Sequence, residues 1–260
     1  MSVQVLASPP SVFRLAPPYE RVEAVPDVGV LAPDELPDAT VLGVHLPSPE
    51  AVWGEAALLV ARLRVGFPAA AVVLRLGSAP EARDPDWARR AGGMGVRAVL
   101  LEDEEPLPRL RHALTDPTNL AEEVERWLPS RLPGLPPTVG HLVAVIFREA
   151  PRGWEVGKLL VERGHPERTV RTWFQRAGVP GPGKWLAVAH AVRAALRLQA
   201  HAGASLLALA VECGYSDHSS LSRQCLRLFG VRPGAIRGTL GWEWLLDRWL
   251  RRATAISPAS

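Results

Sequence analysis

The fold is decided by the stretch SLLALAVECGYSDHSSLSRQCLRLFGVRPGAIR, which occupies residues 205–237. At its start, Leu206, Leu209 and Ala210 recur at the spacing of one helical face. The pattern stops at Gly214, a residue type that commonly ends helices because it enters the left-handed region without a steric penalty. The first part of the stretch therefore predicts a short amphipathic helix followed by a tight turn.

A second helix is predicted after that turn. Ser216 or Asp217 is placed to cap it, since both side chains accept a hydrogen bond from a free backbone N–H. Gly230 is expected to end the helix, and Pro233 prevents its continuation. The apolar stripe consists of Leu221, Cys225, Leu226, Leu228 and Phe229. Two short helices joined by a glycine turn predict a helix-turn-helix unit, although an ordinary helical hairpin has the same pattern.

The polar edge of the second helix carries candidate contact residues. They are His218, Ser219, Ser222 and Arg223. Short donors and acceptors together with one guanidinium suit the base edges and phosphates of a DNA major groove. The edge indicates nucleic-acid binding, while a hairpin buried in a core stays open as the alternative.

An earlier segment repeats this arrangement. Helices are predicted over residues 155–163 and 166–177, with Gly164 between them and with Val170 and Phe174 facing the core. The exposed edge of the second of these helices consists of Arg168, Thr169, Arg171, Thr172 and Gln175. The chain is therefore predicted to hold two helix-turn-helix units.

A long helix over residues 184–201 is predicted to connect the two units. The two candidate reading helices begin at residues 166 and 217, which are 51 positions apart. A connecting helix of about 18 residues measures ~27 Å, and the major groove returns to the same DNA face every ~34 Å. The spacing favours two reading helices that enter successive major grooves.

Residues 138–240 resemble the DNA-binding domain of AraC/XylS-type transcription regulators. In the second unit the matching residues are Ala210, Gly214, Tyr215, Ser216, Leu221, Ser222, Arg223, Phe229, Gly230, Pro233 and Arg237. In the first unit they are Leu160, Gly164, Val170, Phe174 and Gly178. The family usually has an aromatic residue at the position of Cys225 and often Ser at that of Pro166. The resemblance implies an all-α domain, promoter or operator DNA as partner, and RNA polymerase as a further partner.

The first half of the chain has a different pattern, in which short Val- and Leu-rich runs alternate with helical segments. Strands are predicted at residues 3–6, 21–25, 40–44, 70–74 and 98–101, and helices at 50–64, 86–91 and 107–114. This alternation predicts an α/β domain over residues 1–128, with a parallel sheet of about five strands covered on both faces.

The segments that flank the second domain are also distinctive. Residues 129–137, PSRLPGLPP, are expected to form an extended interdomain linker, because proline interrupts helices and sheets. The tail, residues 241–260, is predicted to contain an amphipathic helix from Trp242 to Arg252. That helix is expected to pack on the domain, with a position on a membrane surface as the weaker alternative.

The first half resembles a response-regulator receiver domain that has lost its chemistry. The strings ATVLGVHLPSP, AVVLRLGS and GVRAVLLEDE resemble its third, fourth and fifth strands. However, Gly43 occupies the position of the phosphoacceptor Asp, and Glu102 and Arg75 replace the Lys and the hydroxyl residue. Without a carboxylate nucleophile and its metal there is no aspartyl-phosphate chemistry. The resemblance thus implies a flavodoxin/receiver-like domain that acts without phosphorylation.

Charge is divided unevenly between the halves. Residues 1–130 hold 12 Lys and Arg against 19 Asp and Glu, whereas residues 131–260 hold 18 against 8. Only the basic half is expected to meet a polyanion. The acidic half is expected to have a regulatory role or to form a homodimer. The predicted dimer surface is residues 86–114, which include Trp87 and Arg109.

The combined expectation is a sequence-specific transcription regulator and not an enzyme, without a catalytic residue, cofactor or metal site. The two cysteines, Cys213 and Cys225, fall within the second helix pair at a spacing unlike that of structural zinc. Few cysteines, no signal peptide and no apolar run of membrane-spanning length predict a cytoplasmic protein without membrane contact.

Two other functions stay open from the sequence. One is a DNA-associated enzyme such as a fused alkyl-transfer repair protein, which needs a nucleophilic cysteine in a reactive setting. The other is an interaction protein whose DNA surface has decayed, against which the arginines of the two exposed edges argue.

Overall fold

The first half of the chain contains a sheet. The structure, a computed structural model, describes residues 2–7, 23–25, 41–46, 53–76, 85–101, 106–152, 156–162 and 164–255. The described strands are β1 (Ser2–Ala7), β2 (Glu23–Val25), β3 (Val41–Leu46), β4 (Ala71–Leu76) and β5 (Val99–Leu101). They pair in the order β2-β1-β3-β4-β5. Strands β3, β4 and β5 are parallel, whereas β1 runs antiparallel to both of its neighbours.

The antiparallel β1 corrects the expectation of a wholly parallel sheet. The strand order is the one that flavodoxin-like domains have, but the parallel part is limited to three strands, so the receiver-like fold stays a prediction. The sequence could not predict that β1 is antiparallel, because an apolar run has the same pattern in either strand direction. Gly43, which the predicted receiver-like resemblance aligns with a phosphoacceptor, is buried in β3 between Gln4 and Val73. Glu102 lies outside the described residues.

Helices cover both faces of the sheet. They are α1 (Trp53–Gly66), α2 (Pro85–Gly93) and α3 (Pro106–Thr115). On one face, Ala56, Val60 and Leu63 of α1 are buried against the strands. On the other face, Leu110 and Leu114 of α3 are buried. The two layers follow from alternation along the strands, which sends successive side chains to opposite faces.

From residue 106 onward, every described regular element is a helix. After α3 these are α4 (Leu120–Arg131), α5 (Pro137–Glu149), a 3-10 turn (Ala150–Arg152), α6 (Val156–Glu162), α7 (Glu167–Arg176), α8 (Pro182–Ala200), α9 (Leu206–Glu212), α10 (His218–Phe229), α11 (Pro233–Arg237) and α12 (Glu243–Ala255). The predicted helical second half is confirmed.

The proline-rich segment is more helical than expected. Pro129 lies inside α4, near its end, and Pro137 begins α5. Proline is tolerated at the first helical position, where its missing N–H has no partner in any case. Only residues 132–136 are non-helical. The prediction of an extended linker over residues 129–137 is therefore wrong for residues 129–131 and for residue 137, which are helical.

Helix α8 is the centre of the helical core. It is 19 residues long and carries buried side chains around most of its circumference, among them Trp185, Val192 and Leu196. Helices α3, α5, α7, α9, α10, α11 and α12 all pack against it. Apart from a stripe that contains His190, Arg193 and the exposed Arg197, the helix is largely apolar, which is typical of a buried position. The predicted connecting helix is thus also the scaffold of the domain.

The helix α12 packs on this core as an additional helix. Five apolar residues of the predicted tail helix are buried, namely Trp242, which directly precedes α12, and Leu245, Leu246, Trp249 and Leu250 within it. Ring contacts add to the packing: Trp249 lies edge-on to Trp185, with ring centroids 4.6 Å apart. No helix in the described part of the chain is long and apolar enough to cross a membrane.

Buried ion pairs join the two halves of the chain. Arg97, which precedes β5, pairs with Glu123 of α4. Its Nε also lies 3.0 Å from Glu243 Oε1 of α12, close enough for an ion pair but too poorly aligned for a hydrogen bond. The Arg97 guanidinium stacks over the Trp242 ring, 5.3 Å from its centroid. Burial lowers the pKa of Arg97 from its ordinary value, and Glu243 opposes that shift.

Candidate nucleic-acid interface

Both predicted turns have the same geometry. Gly164 and Gly214 adopt the left-handed conformation, with φ of 74° and 82°. In the first turn the backbone N–H of His165 donates to Leu160 O at 2.9 Å, and in the second Tyr215 N donates to Ala210 O at 2.9 Å. These are the hydrogen bonds of a Schellman-type helix end, in which the backbone N–H of the residue after the glycine donates to a carbonyl of the last helical turn. The two turns thus share the same glycine conformation and the same closing hydrogen bond.

The start and end of α10 are fixed by local chemistry. Asp217 caps the helix, because its Oδ1 accepts a hydrogen bond from Ser220 N at 2.7 Å. That bond lowers the pKa of the Asp217 carboxyl below its ordinary value. Gly230 ends the helix in the left-handed conformation, with φ of 69°. Both expectations from the sequence are confirmed, with Asp217 and not Ser216 as the capping residue.

The outer face of α7 carries the first group of predicted contact residues. Arg168, Thr169, Arg171 and Gln175 are exposed and Thr172 is half-buried. Val170 and Phe174 are buried on the opposite side. Arg171 is held by an ion pair within the helix, since its Nη2 lies 2.6 Å from Glu167 Oε1. The hydroxyl of Thr172 donates to Arg168 O at 3.0 Å, so that donor is already used by the helix itself.

The outer face of α10 carries the second group. His218, Ser219 and Arg223 are exposed and Ser222 is half-buried. The Ser222 hydroxyl donates to His218 O at 2.8 Å, as Thr172 does in α7. Arg223 Nη2 donates to Ser220 Oγ at 3.2 Å, a contact with a neutral group. Arg223 therefore forms no ion pair within the described part of the chain, unlike Arg171.

Two residues of this face were missed in the sequence. Leu226 and Arg227 lie one helical turn beyond Arg223 and about two turns beyond Ser219, on the same side of α10. Leu226 was assigned to the apolar stripe but is 42% exposed, because Leu221, Cys225 and Phe229 already fill the inner face. Arg227 is exposed and donates to Gln224 Oε1 at 2.5 Å. Leu226 and Arg227 could have been identified from the sequence, because they follow Arg223 by three and four residues, the spacing of one helix face.

The two faces are joined through one rigid element. Helices α7 and α10 both pack against α8, whose 19 residues correspond to a length of about 28 Å. Between residues 162 and 239 the sequence holds eleven Lys and Arg against four Asp and Glu. A basic domain that presents two polar helix faces is suited to binding double-stranded DNA.

Neither cysteine lies in a reactive setting. Burial raises the pKa of the Cys225 thiol to about 12, and burial also raises the pKa of Cys213, against the opposing effect of Arg197. A nucleophilic cysteine needs the opposite environment, exposed and electropositive. Within the described ranges, His, Cys, Asp and Glu side chains form no group of three that suits a metal ion. The alkyl-transfer alternative therefore has no support.

The geometry is that of a DNA-binding domain of a transcription regulator. Comparison with protein-family models agrees: residues 162–239 match a family described as a helix-turn-helix domain, of the AraC type. The match begins at the end of α6 and includes α7 and α10. It therefore supports the AraC-type resemblance of this region, while the receiver-like resemblance of the first half has no such match. No curated protein and no solved structure matches the chain.

Proposed function

We propose that the protein is a sequence-specific transcription regulator of promoter or operator DNA, which places α7 and α10 in successive major grooves. The observation that supports this most strongly is the pair of exposed polar faces mounted on one buried helix. Because α8 is packed on most sides, it holds the two faces at a fixed spacing. One polypeptide then contacts two half-sites, as simple repressors do only as dimers.

The contact residues divide into two roles. Arg223 and Gln175 are proposed to read base edges, since both are exposed and have side chains that form paired hydrogen bonds with bases. Arg168, Arg171 and Arg227 are proposed to contact phosphates together with Thr169, Ser219 and His218. Thr172 and Ser222 donate to their own helices, so their hydroxyl oxygens remain as acceptors and their small size admits close approach.

Selection of bound sequences from a random DNA pool tests the proposal with the full chain. The expected result is a motif of two half-sites whose centres lie about 10 bp apart. Arg62→Ala serves as a charge control, because Arg62 is exposed on α1, outside the matched domain. Binding without sequence preference, or a motif with only one half-site, would overturn the proposed docking.

The first half is proposed to form the homodimer, without phosphorylation. Part of the surface predicted for this, residues 86–114, is already used within the chain: Arg111 of α3 donates to Gln199 O of α8 at 2.6 Å. The remaining candidate is α2, where Arg90 is exposed. Dimerisation adds DNA affinity by raising the effective concentration of the second domain.

Sedimentation of the full chain tests the dimer. The wild type is expected to be dimeric at tens of micromolar, Arg90→Glu to be monomeric, and Arg62→Glu on α1 to stay dimeric. A monomeric wild type contradicts dimerisation itself. Loss of the dimer in Arg62→Glu alone would place the interface on α1, where Leu58 and Val65 are exposed apolar side chains.

A further inference from the structure

The solvent-facing side of α12 is cationic. Among the α12 residues whose exposure the structure describes, the exposed ones are all arginines, namely Arg248, Arg251 and Arg252. The two carboxylates of the helix are instead buried: Glu243 Oε1 lies 3.0 Å from Arg97 Nε, and Asp247 Oδ1 lies 2.5 Å from Arg131 Nε. The family match ends at residue 239, before α12 begins. The function described above therefore leaves this cationic side unexplained.

The guanidinium of Arg252 lies against the end of α10. An ideal Cβ built on Gly230 would lie 2.6 Å from Arg252 Nη1 and 3.3 Å from its Cζ, and α10 and α12 pack against each other. Gly230 ends α10 in the left-handed conformation. Because glycine has no side chain, it leaves the space beside the helix end that this guanidinium occupies.

The position that Arg252 contacts belongs to the face of α10 that is proposed to bind DNA. Gly230 follows Arg223 by seven residues and Arg227 by three, which is the spacing of one helix face. The buried Cys225 lies on the opposite side. At 1.5 Å per residue, Gly230 is about 10 Å from Arg223 along the helix axis. Arg252 thus adds a third cation, supplied by another helix, to the row that Arg223 and Arg227 begin.

The charge of Arg252 is available for an intermolecular contact. Arg252 is exposed and forms no ion pair or hydrogen bond within the described part of the chain. Its neighbour Arg251, by contrast, is paired with Asp247, with 2.6 Å between Nη2 and Oδ2. The C-terminus of a helix carries roughly half a negative charge. The end of α10 therefore attracts the guanidinium of Arg252 without neutralising it.

We propose that Arg252 binds a phosphate of the DNA backbone beside the major groove that α10 enters, so that α12 adds a DNA contact to the two helix-turn-helix units. This inference rests on the proposed DNA-binding function. The first turns of a reading helix contact bases, whereas its C-terminal end can lie against the backbone. A guanidinium suits a phosphate, because its planar N–H groups form paired hydrogen bonds with two oxygens. Such a contact contributes affinity and orientation but no base preference.

The salt dependence of binding to the selected duplex, measured with the full chain by fluorescence anisotropy, tests this contact. Loss of one phosphate contact lowers the slope of log affinity against log salt by about 0.9, which corresponds to roughly eightfold weaker binding at 0.1 M salt. Arg252→Gln should show both changes and keep the sequence preference. Arg252→Lys retains the charge and should retain most of the slope.

Arg248→Gln is the matched control on the same helix. It removes an equal charge one helical turn, about 6 Å, earlier in α12, and should lower the slope by less than about 0.3. Arg62→Gln, on α1, controls for the net charge of the chain and should bind as the wild type does.

A neutral linkage in the DNA locates the contacted phosphate. Methylphosphonate groups, which lack the phosphate charge, are placed one at a time along both strands of the half-site that α10 reads. That half-site is the one at which Arg223→Ala relaxes the sequence preference. At one position the wild type and Arg248→Gln should lose affinity, and Arg252→Gln should not, because a contact that is already absent cannot be lost again.

Three results overturn the proposal. They are an unchanged salt slope in Arg252→Gln, an equal loss of slope in Arg248→Gln, and a methylphosphonate pattern that is the same in Arg252→Gln as in the wild type. If Arg252 only stabilises the end of α10, Arg252→Gln lowers the midpoint of urea denaturation and leaves the slope and the pattern unchanged.

The same measurements separate this inference from the proposed function. If the chain binds its selected duplex but Arg252→Gln binds as the wild type does, only the contact through α12 is wrong. If the chain selects no sequence and binds no duplex, the proposed function fails and this inference fails with it.

Discussion

Replacement of Arg223 by alanine tests the assignment of α10 as a reading helix. The guanidinium is exposed, and among the residues that the structure describes its hydrogen bond is to the Ser220 hydroxyl, at 3.2 Å. A hydrogen bond between a protein cation and a neutral hydroxyl in water contributes little to stability. The effect of the substitution on binding therefore reports mainly on the contact with DNA. A bidentate contact with guanine predicts a loss of about 1–3 kcal/mol, or roughly 5- to 150-fold in Kd.

Fluorescence anisotropy with two duplexes, the selected sequence and a scrambled one, measures this loss at several salt concentrations. Arg223→Ala should weaken binding to the selected duplex, leave the scrambled duplex nearly unchanged and relax the sequence preference at one position. Arg62→Ala should leave both affinities unchanged.

The reasoning is refuted if Arg223→Ala behaves like Arg62→Ala. It is also refuted if both duplexes lose affinity equally and the salt slope falls by about 0.9, since that is the result of one lost phosphate contact.

Three further substitutions or treatments have defined outcomes. Glu167→Gln removes a carboxylate from the proposed DNA face and releases Arg171, so DNA affinity should rise roughly two- to fivefold; an unchanged or weaker affinity in the same anisotropy assay contradicts this. If the first half is receiver-like, as proposed, Gly43 stands at the phosphoacceptor position, so acetyl phosphate with magnesium should leave the intact mass unchanged, and an adduct of ~80 Da in the first half would show otherwise. Arg97→Ala removes the cation that faces the buried carboxylate of Glu243 and the partly buried one of Glu123, and should lower the free energy of unfolding by about 3–5 kcal/mol; a loss below ~1 kcal/mol in urea denaturation would mean that the ion pairs are dispensable.

The parts of the fold that depend on neighbouring residues were predictable from the sequence. The cap at Asp217 and the stop at Gly230 are local chemistry, and the inner face of α12 follows from its helical period. Pro129 was misjudged because the rule that proline breaks helices is weaker near a helix end. Leu226 was misjudged because an apolar residue type was given more weight than its angular position on the helix.

The parts that depend on distant residues were not predictable. Glu243 and Asp247 are charged residues buried in α12, and their partners Arg97 and Arg131 lie more than a hundred positions earlier in the chain. An open groove beside α8 likewise takes its walls from four separate segments, which are Pro117, Pro151, residues 187–197 of α8 and residues 212–224. The periodicity of a single segment does not predict these long-range contacts, because they depend on how the helices pack against each other in the folded protein.

The position of Leu240 limits how this protein can be rearranged. This residue follows the helix-turn-helix units in sequence, yet it is buried in the core of the sheet, beside Val73 and Leu100. Trp127 of α4 reaches back in the same way and donates from its indole to Pro68 O at 2.7 Å. A hybrid gene that joined one protein's first half to another's second half would therefore leave an unfilled position in the sheet. The two halves are expected to diversify together, as one inherited unit, and not to be exchanged as separate modules.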